Sequence, residues 1–510
     1  MFNHIKNMFN YAIYIYDYII NGIYYIAKED TIIIDPRYNK PLNSKILIHY
    51  KKIIFSDYEL DVGLFNAYFN YNLDGDINQS LADYHIADDS QFNQPLGNSL
   101  NNLTNLTLIT FGCEFNQPLS NSLDKLINLT YLTFGKYFNQ PLLNSLDKLI
   151  NLTHLTFGSG FNHPLAISLD NLINLTHLTF GYHFNVQLGN SLDKLINLTH
   201  LTFGSEFNQH LAISLNNLIN LTHLTFGYNF NVQLGNSLDK LINLTNLTFD
   251  NMFDQTFDNM FDQPLVNSLD NLINLTNLTF GYSFNQPLSN SLDNLINLTY
   301  LTFGNEFNKP LANSLDKLLN LTHIYFGFYF NQPLSNSLYY LTKLEHLTLG
   351  YEFNQELILP SNIKILTQDC NNKNVIDNLP NSIEQLNLGY CFNLPLDNLP
   401  SSIKIISFHT SSAYNYPLDN LPSSVEQLNL GSYFNFPLDN LPNSIKIISF
   451  SDGSDYNHPL DNLPKSIEQL KLRKYYDTQI KNIPTGLKKI ICSKEYKFIN
   501  DFTGLEIETY

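Results

Sequence analysis

Histidine is the residue whose spacing in this sequence most suggests chemistry. Six histidines share one position of a repeated pattern: His154, His177, His200, His223, His323 and His346. Equivalent residues on stacked strands lie about 5 Å apart, so these side chains could share a metal ion or couple their protonation. A straight column places ligands in a line, whereas zinc requires a tetrahedron. We therefore predict a recognition surface with no metal, whose histidines resist protonation together.

Other residue types at the same position support this interpretation. Tyr131, Asn246, Asn277 and Tyr300 replace histidine there, and a catalytic or metal-ligating position would not tolerate such exchange. The sequence has no Gly-rich phosphate loop, GxSxG or HExxH motif. We predict no catalytic, cofactor-binding or metal residues. The candidate partner-binding residues are Tyr131, His154, His177, His200, His223, Tyr300, His323 and His346.

A 23-residue repeat positions these residues. The stretch FNQPLSNSLDKLINLTYLTFGKY, residues 115–137, returns almost unchanged along the chain. Its Phe-Asn pair begins at Phe92, Phe115, Phe138, Phe161, Phe184, Phe207 and Phe230. A fixed period of this size is typical of a solenoid, in which each unit buries its apolar face against its neighbours.

Each unit predicts one short strand and a returning arm. In LTYLTF, residues 129–134, the LxxLxF spacing points Leu132 and Phe134 inward. Gly135 allows a turn, and Ser145 is placed to cap a single helical turn in the arm. Asn139 and its equivalents form a column that we expect to point inward and to bond backbone groups where each rung bends.

The array predicts three regions. Residues 1–90 form an N-terminal cap, mostly helical over 1–37, with possible degenerate repeats after it, because YNKPL at 38–42 echoes FNKPL at 307–311. Residues 91–358 form the 23-residue array, with an eight-residue acidic insertion near 253–260 that should loop out of one face. Residues 359–510 form shorter 20- and 22-residue units and a C-terminal cap.

Charges alternate along the shorter units. Lys and Glu alternate at one position of successive units, and we predict that they form a ladder of opposite charges. Its members are Lys364, Glu384, Lys404, Glu426, Lys446, Glu468, Lys488 and Glu506. Like charges on adjacent parallel strands would repel one another, so alternation fixes the register of the stack.

Composition narrows the functional classes. The chain has 46 acidic and 28 basic residues and a net charge of −18, which argues against nucleic acid or an anionic membrane as the partner. Its four cysteines lack CxxC spacing, so neither a zinc site nor a disulfide framework is indicated. Without a long apolar run or a cleavable leader, the expected location is the cytoplasm.

The motifs resemble known repeats. LxxLxF with its returning arm resembles a leucine-rich repeat, and FNLPLDNLPSSIKIISF, residues 392–408, resembles the FNIP repeat of social amoebae and of giant amoeba-infecting viruses. The likeness extends over residues 92–484. It implies a repeat solenoid: a leucine-rich-repeat-like curved stack of short parallel strands with irregular or short-helical convex arms. A viral protein of this kind would act in the host cytoplasm.

The resemblance also implies a function. FNIP proteins frequently carry an N-terminal F-box that docks to the Skp1 component of a ubiquitin ligase, while the repeats bind substrate. The usual Leu-Pro opening of an F-box is absent from residues 1–60. We expect a non-enzymatic scaffold that binds an unidentified protein on its concave face, possible roles being a ligase substrate adaptor or a structural component of a particle. A metal- or nucleotide-dependent enzyme is a third, more distant hypothesis.

Overall fold

The chain folds into two compact units that consist of short strands joined by turns. The computed structural model describes residues 25–28, 30–34, 38–42, 47–55, 90–249, 261–334 and 337–510. Unit 1 is Met1–Phe261 and unit 2 is Asp262–Tyr510. In both units, adjacent strands pair in parallel along nearly the whole stack. This arrangement confirms the predicted leucine-rich-repeat-like solenoid.

Ten strands form the sheet of unit 1. They are β1 Tyr25–Lys28, β2 Thr31–Ile34, β3 Lys52–Phe55, β4 Leu108–Thr110, β5 Tyr131–Thr133, β6 His154–Thr156, β7 His177–Thr179, β8 His200–Thr202, β9 His223–Phe226 and β10 Asn246–Phe249. From β4 onward each strand pairs with the equivalent residues of the next, so His154 lies opposite His177 and Leu155 opposite Leu178. The 23-residue period therefore sets the register directly.

Twelve strands form the sheet of unit 2. They are β11 Asn277–Thr279, β12 Tyr300–Thr302, β13 His323–Tyr325, β14 His346–Leu349, β15 Ile365–Gln368, β16 Gln385–Leu388, β17 Ile405–Phe408, β18 Gln427–Leu430, β19 Ile447–Phe450, β20 Gln469–Lys471, β21 Lys489–Cys492 and β22 Glu506–Thr509. One helix of five residues, α1 Lys373–Asp377, and a 3-10 turn, Ile499–Asp501, interrupt the described part of this unit.

Columns of Leu and Phe fill the interior. Leu132 and Phe134 on β5 and Phe138 on the following turn are almost fully buried. The rings of Phe134 and Phe138 stack at 4.1 Å, and Phe138 stacks on Phe161 of the next rung at 6.2 Å. Because each rung from β5 to β9 repeats this pattern, the core of unit 1 consists of columns of leucine and phenylalanine side chains.

The N-terminal end differs from the helical cap that we predicted. Residues 25–28 and 31–34 form an antiparallel pair, β1 and β2, and β2 continues into the parallel sheet through β3. The physical reason is the β-branched run Thr31–Ile34, which favours a strand and lies entirely buried. Residues 1–24 are outside the described part. Tyr38 and Asn39 do behave as a degenerate repeat, since Tyr38 stacks on Phe92 and Asn39 accepts the backbone N–H of Asn93.

The arms contain turns in place of the short helix predicted at Ser145. Residues 143–148 form consecutive turns, and the Ser145 amide donates to the Leu142 carbonyl at 2.9 Å. The preceding Leu143 has a positive φ of 49°, which helical geometry excludes. Ser145 and its equivalents are buried polar residues, and in unit 2 the Ser314 hydroxyl donates to the Ser289 carbonyl one rung earlier.

The asparagine column links successive rungs, but its side chains do not point inward as predicted. Asn139 and Asn208 are exposed and Asn185 is half-buried. Each side-chain oxygen accepts the backbone N–H of the next asparagine, as from Asn208 to Asn185 at 3.0 Å. Phenylalanine already fills the interior, so the amides run along the surface parallel to the stack.

The charge ladder of unit 2 forms as separate ion pairs. Each lysine contacts the glutamate of the preceding rung: Lys364–Glu345 at 2.6 Å, Lys404–Glu384 at 2.8 Å, Lys446–Glu426 at 2.7 Å and Lys488–Glu468 at 2.7 Å. The prediction that Glu506 closes the ladder was wrong by one residue. Ile507 pairs with the core residue Ile490, which places Glu506 opposite Lys489.

Candidate recognition surface

The strand face of unit 1 carries five of the eight candidate residues as one column of stacked rings. Neighbouring ring centroids are 4.1 Å apart for Tyr131–His154, His154–His177 and His177–His200 and 4.2 Å apart for His200–His223. Neighbouring ring planes are inclined by only 9° to 18°. All five are half-buried and lie outside the Leu and Phe core. We name them the ring column.

The other three candidates form a second, shorter stack in unit 2. Tyr300 stacks on His323 at 4.2 Å, and His323 on His346 at 4.0 Å. Tyr325 lies on the neighbouring outward position of β13, beside the stack, and the four residues line part of a cavity of about 250 Å³. The structure thus brings together all eight residues chosen from sequence as two groups, one in each unit.

A threonine holds most of these histidines in place. Thr153, Thr176, Thr199 and Thr222 each precede a column histidine, and the hydroxyl oxygen lies 2.9 Å from the imidazole Nδ1 of that histidine. The same hydroxyl donates to the carbonyl of the threonine one rung earlier, at 3.0 Å. The ring orientation is therefore tied to the backbone of two rungs.

Strands β4 to β10 of unit 1 present an uncharged face, and Lys52 on β3 follows in the same column beyond Leu108. None of the strands β4 to β10 contains Lys, Arg, Asp or Glu. Its outward positions carry ring side chains, asparagine and hydroxyls such as Thr156 and Thr179, all half-buried. A partner that docks here contacts aromatic edges and hydroxyl groups, and no strand residue forms a salt bridge to it.

Burial, helped by proximity, lowers the pKa of three column histidines, His177, His200 and His223. Burial is the main cause that lowers the pKa of His177, and the neighbouring histidines add repulsion. The same causes lower the pKa of His200 to about 4. For His223 burial alone lowers the pKa. These directions agree with the mutual resistance to protonation that the spacing predicts.

We expect the stability of unit 1 to fall as pH drops below about 6.5. The folded chain holds His200 neutral down to about pH 4, whereas the unfolded chain protonates it near pH 6.5. Between those values the unfolded state binds more protons, so stability is full above pH 6.5 and declines toward pH 4. Urea midpoints at pH 7 and pH 4.5, compared with those of His200→Asn, measure this contribution. An NMR titration of His200 near its ordinary pKa would contradict the expectation.

A second exposed feature lies where each strand ends. We call it the strand-exit corner: the residues between the last inward side chain of a strand and the next Phe-Asn or Tyr-Asn pair. Three residues, 204–206, separate Phe203 from Phe207; five separate Phe408 from Tyr414; eleven separate Phe249 from Phe261; and 36 separate Phe55 from Phe92. The flanking rings nevertheless stack at 4.1, 4.3, 4.2 and 4.3 Å. The two flanking rings therefore make the same contact whatever the number of residues between them.

Several insertions begin and end at this corner. The predicted insertion near 253–260 lies outside the described part, and the rings of Phe249 and Phe261 on either side of it stack as they do on the uninterrupted rungs. The 22-residue units differ from the 20-residue units by two residues at the same corner, as in 409–413 against 389–391. Variation in length at this corner of some rungs is typical of loops on a binding face.

Exposed aromatic residues concentrate at the same corner of unit 2. Phe328, Tyr329, Tyr351, Tyr390, Tyr433 and Tyr475 all lie there, and Tyr475 is the most exposed at 69%. Phe328, Tyr329 and Tyr351 occupy the two variable positions before each Phe-Asn pair, where the sequence suggests either a binding surface or unconstrained drift, but none of the six is among the eight partner-binding candidates. Their signal was available in the sequence, because every one directly precedes a Phe-Asn pair or its counterpart by one or two positions.

The ion pairs of unit 2 border a long groove. The groove has a volume of about 1,210 Å³ and extends from Thr322 to Lys488. Alternating lysine and glutamate side chains line it together with serine and asparagine side chains of the turns. Because the charges are already paired within the chain, the groove offers hydroxyl and amide groups more than net charge.

The described residues contain no cluster of three or more His, Cys, Asp or Glu side chains arranged to hold a metal ion. Within the same residues, no helix has the length and apolar character that crossing a membrane requires. The recurring Asn-Leu-Thr triplets match a glycosylation sequon, but the repeat itself explains them. The Asn128 side-chain amide, for example, donates to the Thr104 carbonyl of the previous rung at 2.8 Å.

Comparison with known proteins agrees with this architecture. The profile of the FNIP repeat matches residues 371–411 and 414–453. The structure is similar to that of CroV588, described as a novel circular LRR protein, with 27% sequence identity, a TM-score of 0.62, and coverage of 92% of this chain and 77% of that one. No curated protein sequence gives a significant match.

Two bacterial leucine-rich-repeat structures are more distant. The internalin InlF of Listeria monocytogenes has 18% identity and a TM-score of 0.44, with coverage of 61% of this chain and 83% of that one. The LRR protein LIC12759 of Leptospira interrogans has 15% identity and a TM-score of 0.43, with coverage of 78% and 89%.

Proposed function

We propose that this chain, a repeat protein of the FNIP and leucine-rich-repeat type, is a non-enzymatic scaffold that binds a protein partner through its strand face. Leucine-rich-repeat solenoids typically serve recognition, because stacking repeats creates an extended binding surface without building a catalytic cleft. The fold fits that general role. We propose in addition which surface binds the partner, what kind of partner it is and where in the cell binding takes place.

The ring column is the observation that carries the proposal. Leu132, Leu155 and Leu178 are already buried on the opposite side of the same strands, so the core is complete without the rings of Tyr131 and the column histidines. Half-exposed aromatic groups that the core does not require, held in fixed orientation by threonine, are typical of a prepared interface.

The strand-exit corner provides a second contact region. Exposed tyrosines such as Tyr390 and Tyr433 bring large, rigid side chains with few rotatable bonds, which is the composition of interaction hot spots. The strand face would supply a constant surface and the corner a variable one. This division matches the uniform strands and the changing corner lengths.

Two more specific roles fit this function, and identifying the bound proteins distinguishes between them. As a ligase substrate adaptor, the chain would recruit a Skp1-type protein in addition to its substrate, a role supported by the FNIP resemblance alone. As a structural component of a particle, it would associate mainly with coat or core proteins. Recovery of one set of proteins or the other distinguishes these versions.

We expect substitution of the ring column to reduce partner recovery about tenfold. The test compares His177→Asn/His200→Asn with the unaltered chain by cross-linking in amoeba cells, affinity purification and mass spectrometry. Asparagine occupies this column naturally at Asn246 and Asn277, so the fold should be retained. The matched control is Ile167→Asn/Ile213→Asn on the exposed arm, where Asn144 and Asn190 are the natural equivalents. Equal recovery by both variants would refute the proposal.

A further inference from the structure

We propose that the ring column presents outward hydrogen-bond acceptors and fits a cationic polypeptide segment rich in arginine or lysine. This inference rests on the proposed function and specifies the chemistry of its partner. It depends on the contacts of three threonine–histidine pairs, on the uncharged face of strands β4 to β10 and on the charge of the chain.

The first step concerns which imidazole nitrogen carries the proton. A threonine hydroxyl has a single hydrogen, and Thr176 uses it to donate to the Thr153 carbonyl at 3.0 Å. Toward His177 Nδ1, 2.9 Å away, the hydroxyl oxygen must therefore accept. Nδ1 is then the protonated nitrogen, and Nε2 keeps a free lone pair. The same pair of contacts recurs at His200 and His223.

The second step concerns what the column offers to a partner. The ring faces are covered by their neighbours at 4.1 to 4.2 Å, so a cation cannot reach the faces of His177 and His200 for a cation–π contact. The exposed edges of these rings present the Nε2 lone pairs. An apolar partner would bury these acceptors without supplying hydrogen-bond donors, which costs free energy. A carboxylate would place its own oxygen lone pairs against the Nε2 lone pairs, which is unfavourable.

Side chains that carry hydrogen-bond donors therefore match these acceptors best. Arginine carries five N–H donors and lysine three, and neither has an acceptor. The five strands of the ring column carry no positive charge to repel them. Lys52 shares the column position but lies on β3, separated from Tyr131 by Leu108. The net charge of −18 attracts a cationic segment to the chain as a whole. Arginine is the better fit, because its planar group can donate to two neighbouring rings.

The first measurement is the tautomer of the histidines in the unaltered chain. Long-range ¹H–¹⁵N NMR spectra at pH 7 should give protonated Nδ1 and unprotonated Nε2 for His177, His200 and His223. Protonated Nε2 at these residues would overturn the inference whatever any variant does.

The second measurement uses octa-arginine, octa-lysine and octa-glutamate peptides as probes, with calorimetry at physiological salt. We expect saturable binding of octa-arginine that weakens about tenfold in His177→Phe/His200→Phe, which keeps the stacked rings and deletes the acceptors. The control His210→Phe removes an exposed histidine of the arm with no change of formal charge at pH 7, and its affinity should equal that of the unaltered chain.

Each result has a defined meaning. Equal octa-arginine affinity in the column variant and the control, absence of saturable binding, or preference for octa-glutamate would overturn the inference. The proposed function would still stand if the asparagine variant of the ring column lost its cellular partner. Loss of octa-arginine binding in the column variant alone, with the Nδ1–H tautomer, would support the inference.

Discussion

The substitution Gly204→Ala should destabilise unit 1 by about 3 kcal/mol or more, at the upper end of single-residue effects. A Cβ at this position would lie 1.8 Å from the carbonyl oxygen of Gly181 and 2.4 Å from its carbonyl carbon. Both are backbone atoms of the preceding rung, which cannot move without shifting the sheet register. Since rungs are stabilised by their neighbours, separation of two rungs should also broaden the unfolding transition. Urea denaturation followed by circular dichroism measures both effects.

Gly189→Ala is the control for this prediction. Gly189 has a positive φ of 55° but open space around a Cβ. Ala166 and Ala212 occupy the equivalent position with φ of 47° and 44°, so the column already accepts alanine. We expect a cost of about 1 kcal/mol, the ordinary penalty of the left-handed region. Similar losses for the two variants would mean that backbone conformation, and not the contact between rungs, makes glycine necessary at Gly204.

The repeat period was sufficient to predict the core and the stacking of the candidate site. Residues with the same phase must be neighbours when every unit folds alike, so Leu155 and Leu178 pair and His154 and His177 stack as expected. The same logic predicts that the insertion near 253–260 loops out of one face, and Phe249 and Phe261 on either side of it stack at 4.2 Å. Periodicity supplies long-range contacts that a non-repetitive sequence does not reveal.

Prediction failed where the period ends. At the N-terminus no repeat was available, and the mixed spacing of aromatic and aliphatic residues suggested helix, although the β-branched run Thr31–Ile34 favoured the strand observed. At the C-terminus the last unit is shorter, so alignment by the Gly-Leu pair placed Glu506 one position from where the pairing of Ile507 with Ile490 puts it. A unit of changed length does not reveal its register from sequence phase.

The recognition surface was predicted in part for a similar reason. The strand position could be recognised in the sequence because histidine recurs there, always after a threonine. That the threonine hydroxyl contacts both the histidine Nδ1 and a carbonyl of the previous rung is known only from the distances in the structure. At the strand-exit corner in unit 2, the sequence marked Phe328, Tyr329 and Tyr351 as residues of a binding surface or of unconstrained drift, whereas Tyr433 and Tyr475 were missed because the length of the corner changes. Tyr433 and Tyr475 have no constant separation from the strand residues of earlier rungs.

The substitution Asn185→Ala should cost unit 1 about 2 kcal/mol, because it removes the acceptor of two hydrogen bonds between rungs. The Asn185 side-chain oxygen accepts the backbone N–H of Asn208 at 3.0 Å and the side-chain amide of Gln209 at 2.9 Å. Asn208 is exposed and Gln209 half-buried, so water can replace part of what is lost and the cost stays below that of Gly204→Ala. The urea midpoint gives the difference.

Asn185→Asp tests whether the acceptor is what matters. Aspartate keeps the side-chain oxygen, and the chain already uses it this way in unit 2, where Asp262 accepts the Asn285 backbone N–H at 2.8 Å. We therefore expect stability close to that of the unaltered chain at pH 7. If aspartate proved as harmful as alanine, the NH₂ group of asparagine would be the essential part. The column would then have to be understood as a ladder of amide donors, in which each rung depends on the one before it for its acceptors.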